Sequence, residues 1–507
     1  MSNQLVLVLD FGGQYKDLIA RRIRELEVYS EIMPGSVSAK KISDLRPAGI
    51  ILTGGPQSVY SDASIPCDPL IFELGVPILG ICYGMQQMCH TLNGNVAPAK
   101  KSEYGKTDAV IDTASRLFTA VDKNNPVLMS HTDCVTVMPS GFRSTAETAN
   151  CPIAAFENAD KKLYAVQFHP ETEITRSGMR IMRNFLFDIC GVAGDYKLDD
   201  YLDEQIAAVR RQVGGGKVVL GLSGGVDSAV CAGILSLAIP GQVVCILVDH
   251  GLMRLNEGDE VERVFSRRDL KFIRVNAEER FLSKLEGVTS PERKRKIIGR
   301  EFVEVFVEEA KKIGGVGFLA QGTIYPDIIE SGGGSTATIK SHHNVGGLPK
   351  RLGLGLVEPL RGLFKDEVRR LGKKLGLPES IVMRQPFPGP GLAIRIIGKI
   401  TKQKLDVLRP ADAIICEEIE KCAVRPNQFF GVYTGVKSVG VKGDFRTYDA
   451  VIAVRAVTTT DFMTCDYTPI PHEVLSVISA RLTNEVAGVG RVVFDITAKP
   501  PSTVEWE

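Results

Sequence analysis

Neither sign of charge dominates this chain: 61 lysines and arginines face 60 aspartates and glutamates, a net charge of +1 across 507 residues. That balance supplies no bulk attraction to nucleic acid or to an anionic membrane, so any polyanion site must be built locally. Long apolar runs are also missing, and none approaches the ~20 residues of a membrane-spanning helix. The opening Met1-Ser2-Asn3-Gln4 has no basic stretch and runs straight into apolar residues, so no secretory leader is expected. The 11 cysteines, an odd number scattered from Cys67 to Cys465, include no Cys-x-x-Cys pair. This argues against a disulfide framework or a zinc knuckle, and for small buried thiols in a reducing cytoplasm. No internal repeat or low-complexity tract appears. What remains is an ordinary globular composition, too long for a single core, so two to four domains are expected.

Residues 1–192 alternate short apolar runs with amphipathic segments, as a mostly parallel α/β sheet requires. Residues 5–9, 49–52 and 76–81 read as strands, each ending at a turn: Asp10-Phe11-Gly12-Gly13, Thr53-Gly54-Gly55-Pro56 and Cys82. Turns so placed line the carboxyl edge of the sheet, where such folds bind ligands. Tyr201, Leu202, Ile206 and Val209 then recur at helical spacing, and Gly214-Gly215-Gly216 ends that helix. Residues 217–222 and 243–248 read as buried strands of a second α/β domain, over 193–391. Residues 392–507 change character again, with strands near 451–457 and 491–496 and helices near 401–422 and 472–487. The fold class expected is therefore two consecutive, mostly parallel α/β domains and a small C-terminal α+β domain. The polar, Gly-rich segment from 331 to 350 reads as a lid or a disordered loop.

Gly80-Ile81-Cys82-Tyr83-Gly84 places a cysteine on a strand-to-helix turn flanked by glycines. Small residues there permit a strained turn that projects the nucleophile. The Tyr83 N–H would begin a helix, where it can stabilise an oxyanion, and a helix N-terminus favours a thiolate. Alone, the motif fits tight helix packing equally well. His169-Pro170-Glu171 tips the balance: it leaves a predicted strand end with both side chains on one side, and a carboxylate can hold the imidazole as the thiol's base. Together with Gly54-Gly55-Pro56, Met85-Gln86 and Gln167-Phe168, these stretches resemble the class I glutamine amidotransferases. The resemblance implies Cys82 as nucleophile, His169 as acid/base and Glu171 as its orienter. It implies an oxyanion hole from Gly55 and Tyr83, with Gln86 touching glutamine. Ser130-His131-Thr132-Asp133 looks like a further substrate-side loop of that family, although His131 reads equally as an ordinary loop histidine.

Ser223-Gly224-Gly225-Val226-Asp227-Ser228 follows a strand and opens a helix, so its backbone N–H groups form an anion nest. The glycines admit phosphate oxygens, the serines donate hydroxyls, and Asp227 suits a Mg²⁺ ion. No Walker lysine is present, which excludes a γ-phosphate-transferring P-loop. The motif resembles the pyrophosphate loop of N-type ATP pyrophosphatases. That likeness implies ATP-binding by Ser223, Gly224, Gly225, Val226, Asp227, Ser228 and Ala229, with Val248, in Val248-Asp249-His250-Gly251, near adenine.

Five longer stretches narrow the acceptor: Pro291 to Gly299, Gln321 to Asp327, Ser341 to Pro349, Pro386-Phe387-Pro388-Gly389-Pro390-Gly391-Leu392 and Lys499 to Glu507. With both halves they resemble the glutamine-hydrolysing GMP synthases over essentially the whole chain. Ser502 and Val504 depart from the alanine and isoleucine expected there. The resemblance implies adenylylation of XMP at its C2 oxygen and displacement of AMP by ammonia. Arg295, Arg491 and Lys499 are suitable cations for a 5′-phosphate. The likeness adds Gln428, Val504 and Glu505 at ribose or purine, and Lys340, His342 and His343 on a lid. It also implies a homodimer through the C-terminal domain. Blander readings stand beside these: a solvated helix face for 293–296, a rigid linker for 386–391, and a weak metal hint at His342-His343 with no third ligand. Two rival functions exist. A tRNA-modifying adenylylase would want a basic surface and thiol relays, and a non-catalytic sensor would not need Cys82, His169, Glu171 and Asp227 intact.

Overall fold

The computed structural model describes residues 4–330, 353–459 and 464–507. Its backbone divides into two compact units, Met1–Asp200 and Tyr201–Glu507.

The first unit is built on β1 (Leu5–Asp10), β2 (Tyr29–Pro34), β3 (Gly49–Leu52), β4 (Ile78–Ile81), β5 (Asn95–Ile111), β6 (Asn124–Val137), β7 (Arg143–Glu147), β8 (Ala155–Asn158) and β9 (Leu163–Val166). They form one sheet in the order β2-β1-β3-β4-β9-β8-β7-β5-β6. From β2 to β9 the pairing is parallel, and from β9 outward it is antiparallel. The chemistry of the side chains follows that division. β3, β4 and β9 are buried along their whole length, as central parallel strands covered on both faces must be. β5 instead alternates buried and exposed residues, the mark of a strand with one wet face. The parallel character read from the sequence thus belongs to the half that carries Cys82, and hairpins complete the sheet.

The second unit holds β10 (Lys217–Leu222), β11 (Val243–Asp249), β12 (Lys271–Asn276), β13 (Val316–Ala320) and β14 (Gly355–Val357), all parallel, in the order β12-β11-β10-β13-β14. The order reverses direction between β10 and β13, so a crevice opens at the carboxyl end of β10. The helix Val226–Ala238 starts there, and eleven of its residues from Val226 to Ala238 are buried. A four-stranded sheet follows: β15 (Gln428–Lys442) and β16 (Phe445–Thr458) make a long hairpin, with β17 (Asp466–Tyr467) and β18 (Val489–Asp495) beside β16. The helices Lys402–Glu420 and His472–Glu485 cover it. Val219, Ile246 and Phe306 around the parallel sheet share one continuous buried cluster with Leu405, Ile415 and Ile452. No described helix is long and apolar enough to cross a membrane.

Candidate active sites

β4 delivers Cys82 to a turn, and the helix Tyr83–Thr91 begins at the next residue. Cys82 sits at φ +55°, a left-handed conformation that costs a residue with a Cβ about 1–3 kcal/mol. Its neighbours enforce the turn. A Cβ at Gly80 would lie 2.7 Å from the Gly84 carbonyl oxygen, and one at Gly84 would lie 2.4 Å from that of Leu52. Glycine at both positions therefore lets the elbow pack directly on β3. Met85 and Gln86 donate to the Cys82 carbonyl at 3.1 and 3.2 Å, which starts the helix and leaves Tyr83 N–H at its positive end.

His169 follows β9, the parallel neighbour of β4, and its Nδ1–H donates to Glu171 Oε1 at 2.7 Å. The hydroxyls of Thr172 and Thr175 donate to the His169 carbonyl, fixing the turn. His169 and Cys82 flank Gly54, where a Cβ would lie 3.3 Å from His169 Cε1 and 3.8 Å from Cys82 Cβ. Burial works against the charged imidazole, but the charges of Glu171 and Cys82 outweigh it, so His169 titrates well above the usual histidine range.

A cavity of about 340 Å³ opens over the thiol, bounded by Gly55, Tyr83, Gln86, Ser130, Asp133 and His169. Gln86 borders it, but its amide nitrogen is engaged with the Asp133 carbonyl at 2.8 Å and with Gln167 Oε1 at 3.2 Å. Gln167 in turn donates to Cys82 Sγ at 3.6 Å. Asp133 accepts from the hydroxyls of Ser58 and Tyr60. The stretch 130–133 lies within β6 rather than on a loop. His131 is buried there between the Asp133 carbonyl and Glu103, at 2.9 and 3.3 Å.

In the second unit, Gly224 at φ +77° turns the chain from β10 into the helix Val226–Ala238. The Ser228 hydroxyl donates to the Gly225 carbonyl at 3.0 Å and accepts from Ser223 N–H at 3.3 Å. Ser223 and Ser228 hydroxyls stand 3.1 Å apart. Val226 and Ala229 are buried behind the loop, and Val248 is buried in β11. Asp227 divides its carboxylate: Oδ2 meets Lys365 Nζ at 2.6 Å, while buried Oδ1 has no hydrogen-bond partner among the described residues. An unpartnered carboxylate oxygen beside the glycine turn at a helix N-terminus fits a Mg²⁺ ion. Nearby, burial pushes the His250 imidazole down to about 4, and its Nδ1 accepts from Leu252 N–H, so it is neutral.

The C-terminal tail is held by three cations that are fully buried. Arg395 forks onto Glu505 at 3.0 and 3.1 Å, and Gln428 Nε2 donates to the same carboxylate at 3.0 Å. Lys294 bonds Glu507 and the carbonyls of Ala393 and Ile396. Arg455 reaches the carbonyls of Thr497 and Thr503. Arg295 donates to the Glu507 carbonyl, and Val504 packs against Phe430, Val432 and Ala453.

Comparison with known proteins agrees with this layout. The family Glutamine amidotransferase class-I matches residues 7–189, NAD synthase matches 197–282, and GMP synthase C terminal domain matches 417–506. Curated proteins named GMP synthase (glutamine-hydrolyzing) match the chain end to end. Those of Acetivibrio thermocellus, Clostridium kluyveri and Finegoldia magna are 57%, 55% and 56% identical, each alignment covering 100% of both chains. The chain belongs to the glutamine-hydrolysing GMP synthase family.

Within this GMP synthase family member, sequence reading and structure meet unevenly. Cys82, His169, Glu171, Gly55, Tyr83 and Gln86 converge, as do residues 223–229. Gln428, Val504 and Glu505 share one end of the four-stranded sheet. Arg491 is exposed on β18, in register with Val451, and Lys499 N–H pairs with the Cys465 carbonyl. Lys340, His342 and His343 lie outside the described residues. Sequence reasoning assigned no role to Gln167, Lys365, Arg384, Lys294 or Arg395. Only Gln167 had a signal, since it sits two residues before His169 on the same side of an extended segment.

Proposed function

We propose that this protein makes GMP from XMP, with glutamine as nitrogen donor and ATP as activator. Cys82 sulfur attacks the side-chain amide carbon of glutamine, and the proton held on His169 Nε2 passes to the departing nitrogen. Ammonia leaves, and water that gives its proton to His169 then cleaves the thioester to release glutamate. Glu171 keeps the imidazole oriented and favours its charged form. The N–H groups of Gly55 and Tyr83 receive the developing oxyanion, and Gln86 and Gln167 hold the thiol wall of the cavity.

In the second unit the XMP C2 oxygen attacks the α-phosphorus of ATP, the bond to the bridging oxygen breaks, and pyrophosphate leaves. Ammonia nitrogen then adds at C2 and AMP departs. Residues 223–228 donate to the β- and γ-phosphates, and Lys365 supplies the positive charge that the missing Walker lysine would give. Asp227 would hold Mg²⁺, which supplies charge neutralisation of the triphosphate. Gln428, Val504 and Glu505 would face ribose or purine, with Arg295, Arg491 and Lys499 toward the 5′-phosphate and Lys340, His342 and His343 on a lid. Residues 1–192, 193–391 and 392–507 act as glutaminase, adenylylating and acceptor-binding domains.

A homodimer and a cytoplasmic location complete the proposal. The β15–β16 hairpin displays Val439, Val441, Phe445 and Tyr448, each more than half exposed, a patch suited to a second copy. The free cysteines suit a reducing compartment.

One observation carries this reading. A chain alike over its full length to curated GMP synthases hydrogen-bonds His169 to Glu171 and sets both His169 and Cys82 on the wall of one cavity of about 340 Å³. The test supplies XMP and MgATP with either glutamine or ammonium, and GMP is measured. Wild-type protein should use both nitrogen sources, and Cys82→Ala only ammonium. No GMP from ammonium would overturn the synthase reading; glutamine-dependent activity in Cys82→Ala would overturn the triad.

A further inference from the structure

The stretch Gln385 to Gly391 does more than connect two sheets. Phe387 is partly buried, and two guanidinium carbons lie over its ring: Arg254 at 4.2 Å and Arg395 at 5.1 Å from the centroid. Arg395 also lies over Phe430 of β15 at 3.9 Å while it forks onto Glu505. On the other side, Arg254 N–H donates to buried Glu257 at 3.1 Å, and Glu257 takes Arg384 at 3.0 Å. Arg384 donates to the carbonyl of Gly224 at 2.9 Å, inside the phosphate loop. Gln385 accepts the Phe429 N–H at 2.8 Å, next to Gln428. An uninterrupted set of contacts therefore runs from the pyrophosphate loop, through one phenylalanine between two arginines, to the carboxylate of Glu505.

We propose that Phe387 and Arg395 are positioning residues that register the acceptor-binding tail against the pyrophosphate loop. The inference rests on the function proposed above and deepens it. In-line attack of the XMP oxygen on the α-phosphorus requires two separately bound substrates to meet within a few tenths of an ångström. Glu505 reports the position of one and Gly224 the position of the other. A ring clasped by two cations is stiffer than an exposed linker: Arg395 is held by Glu505, and Arg254 by its backbone N–H on Glu257 and its guanidinium on the Pro386 carbonyl at 3.4 Å. Arg395 is fully buried, with Nε and Nη2 on Glu505 and Nη1 3.8 Å from Asp412, so it acts through these carboxylates rather than on substrate.

The experiment uses the full chain with ammonium as nitrogen source, measuring kcat and the KM of XMP and of ATP. Phe387→Leu keeps apolar volume and removes the π face. Its kcat should fall about tenfold, with KM for ATP changed less than about twofold. Phe387→Tyr restores the face and should recover kcat to within about threefold. Arg395→Lys keeps charge but loses the fork, and should raise KM for XMP about tenfold. Combined with Phe387→Leu, it should cost less than the product of the single effects. Wild-type kcat and KM in Phe387→Leu, equal impairment of the Leu and Tyr variants, or fully multiplicative effects would each overturn the proposal. If Arg395→Lys does not fold, the Leu and Tyr pair decides alone. Wild-type protein inactive with XMP, ATP and ammonium would instead overturn the synthase reading itself.

Discussion

Cys82 is the residue where local energetics and chemistry conflict most openly. Its positive φ is unfavourable for any side chain, yet it aims the sulfur into the cavity beside His169. His169 has a consequence for pH. Its titration is raised on folding, so the interactions of its charged form are fully present below the unfolded value and fade as pH rises through the folded one. Glutaminase activity should accordingly fall on the alkaline side, and Glu171→Gln should move that limb to lower pH. A pH profile of glutamine turnover for both proteins checks this; an unmoved limb would separate Glu171 from the titration. At the other centre, Lys365 stands beside Asp227 at the mouth of the loop. Lys365→Met should raise KM for ATP and slow pyrophosphate release by about tenfold, read by a pyrophosphate-coupled assay.

At the scale of elements, both candidate centres use one device: a buried parallel strand, a glycine-bearing turn and a helix whose N-terminus faces the reacting group. The two turns differ in what glycine does. Around Cys82 it removes volume, because carbonyl oxygens of Gly84 and Leu52 occupy the space a Cβ would need. In the turn at residues 223–228 it supplies a backbone angle, at Gly224. Gly84→Ala should therefore destabilise the first unit by about 1–3 kcal/mol, since a backbone oxygen 2.4 Å away cannot step aside as a flexible side chain would. Thermal unfolding would show it, and a melting temperature equal to wild type would refute the steric account. The tail offers a third device: an irregular end carrying Glu505 and Glu507, clamped by Lys294, Arg395 and Arg455, none of which touches solvent.

For the whole molecule, the exposed hairpin gathers several large apolar side chains in water. Val439 and Tyr448 are cross-strand partners, and Phe445 is 78% exposed. Placing a charge there should break association without disturbing the fold, because the side chain has no core to leave. On the proposed dimer, wild type should sediment as a dimer at micromolar concentration and Phe445→Glu as a monomer. A wild-type monomer under those conditions would remove the dimer from the proposal.

The chain's own order of residues determined the two motifs, the strands that carry them and the helices that follow, because these depend on local spacing and on glycine at particular steps. Cys82 with His169 and Glu171, and the nest at 223–228, were legible for that reason. Tertiary structure alone decided the rest. The antiparallel half of the first sheet depends on which strands meet; the Ser130–Asp133 segment became a strand only by pairing with β5. Lys365 reaches Asp227 across 138 positions, and Lys294 reaches Glu507 across 213. Such charges look like ordinary surface residues in sequence, since burial and partner come only from the folded path of the backbone. Phe387 between its arginines is the same case: a proline-rich connector on paper, and a clasped ring once three distant segments pack together.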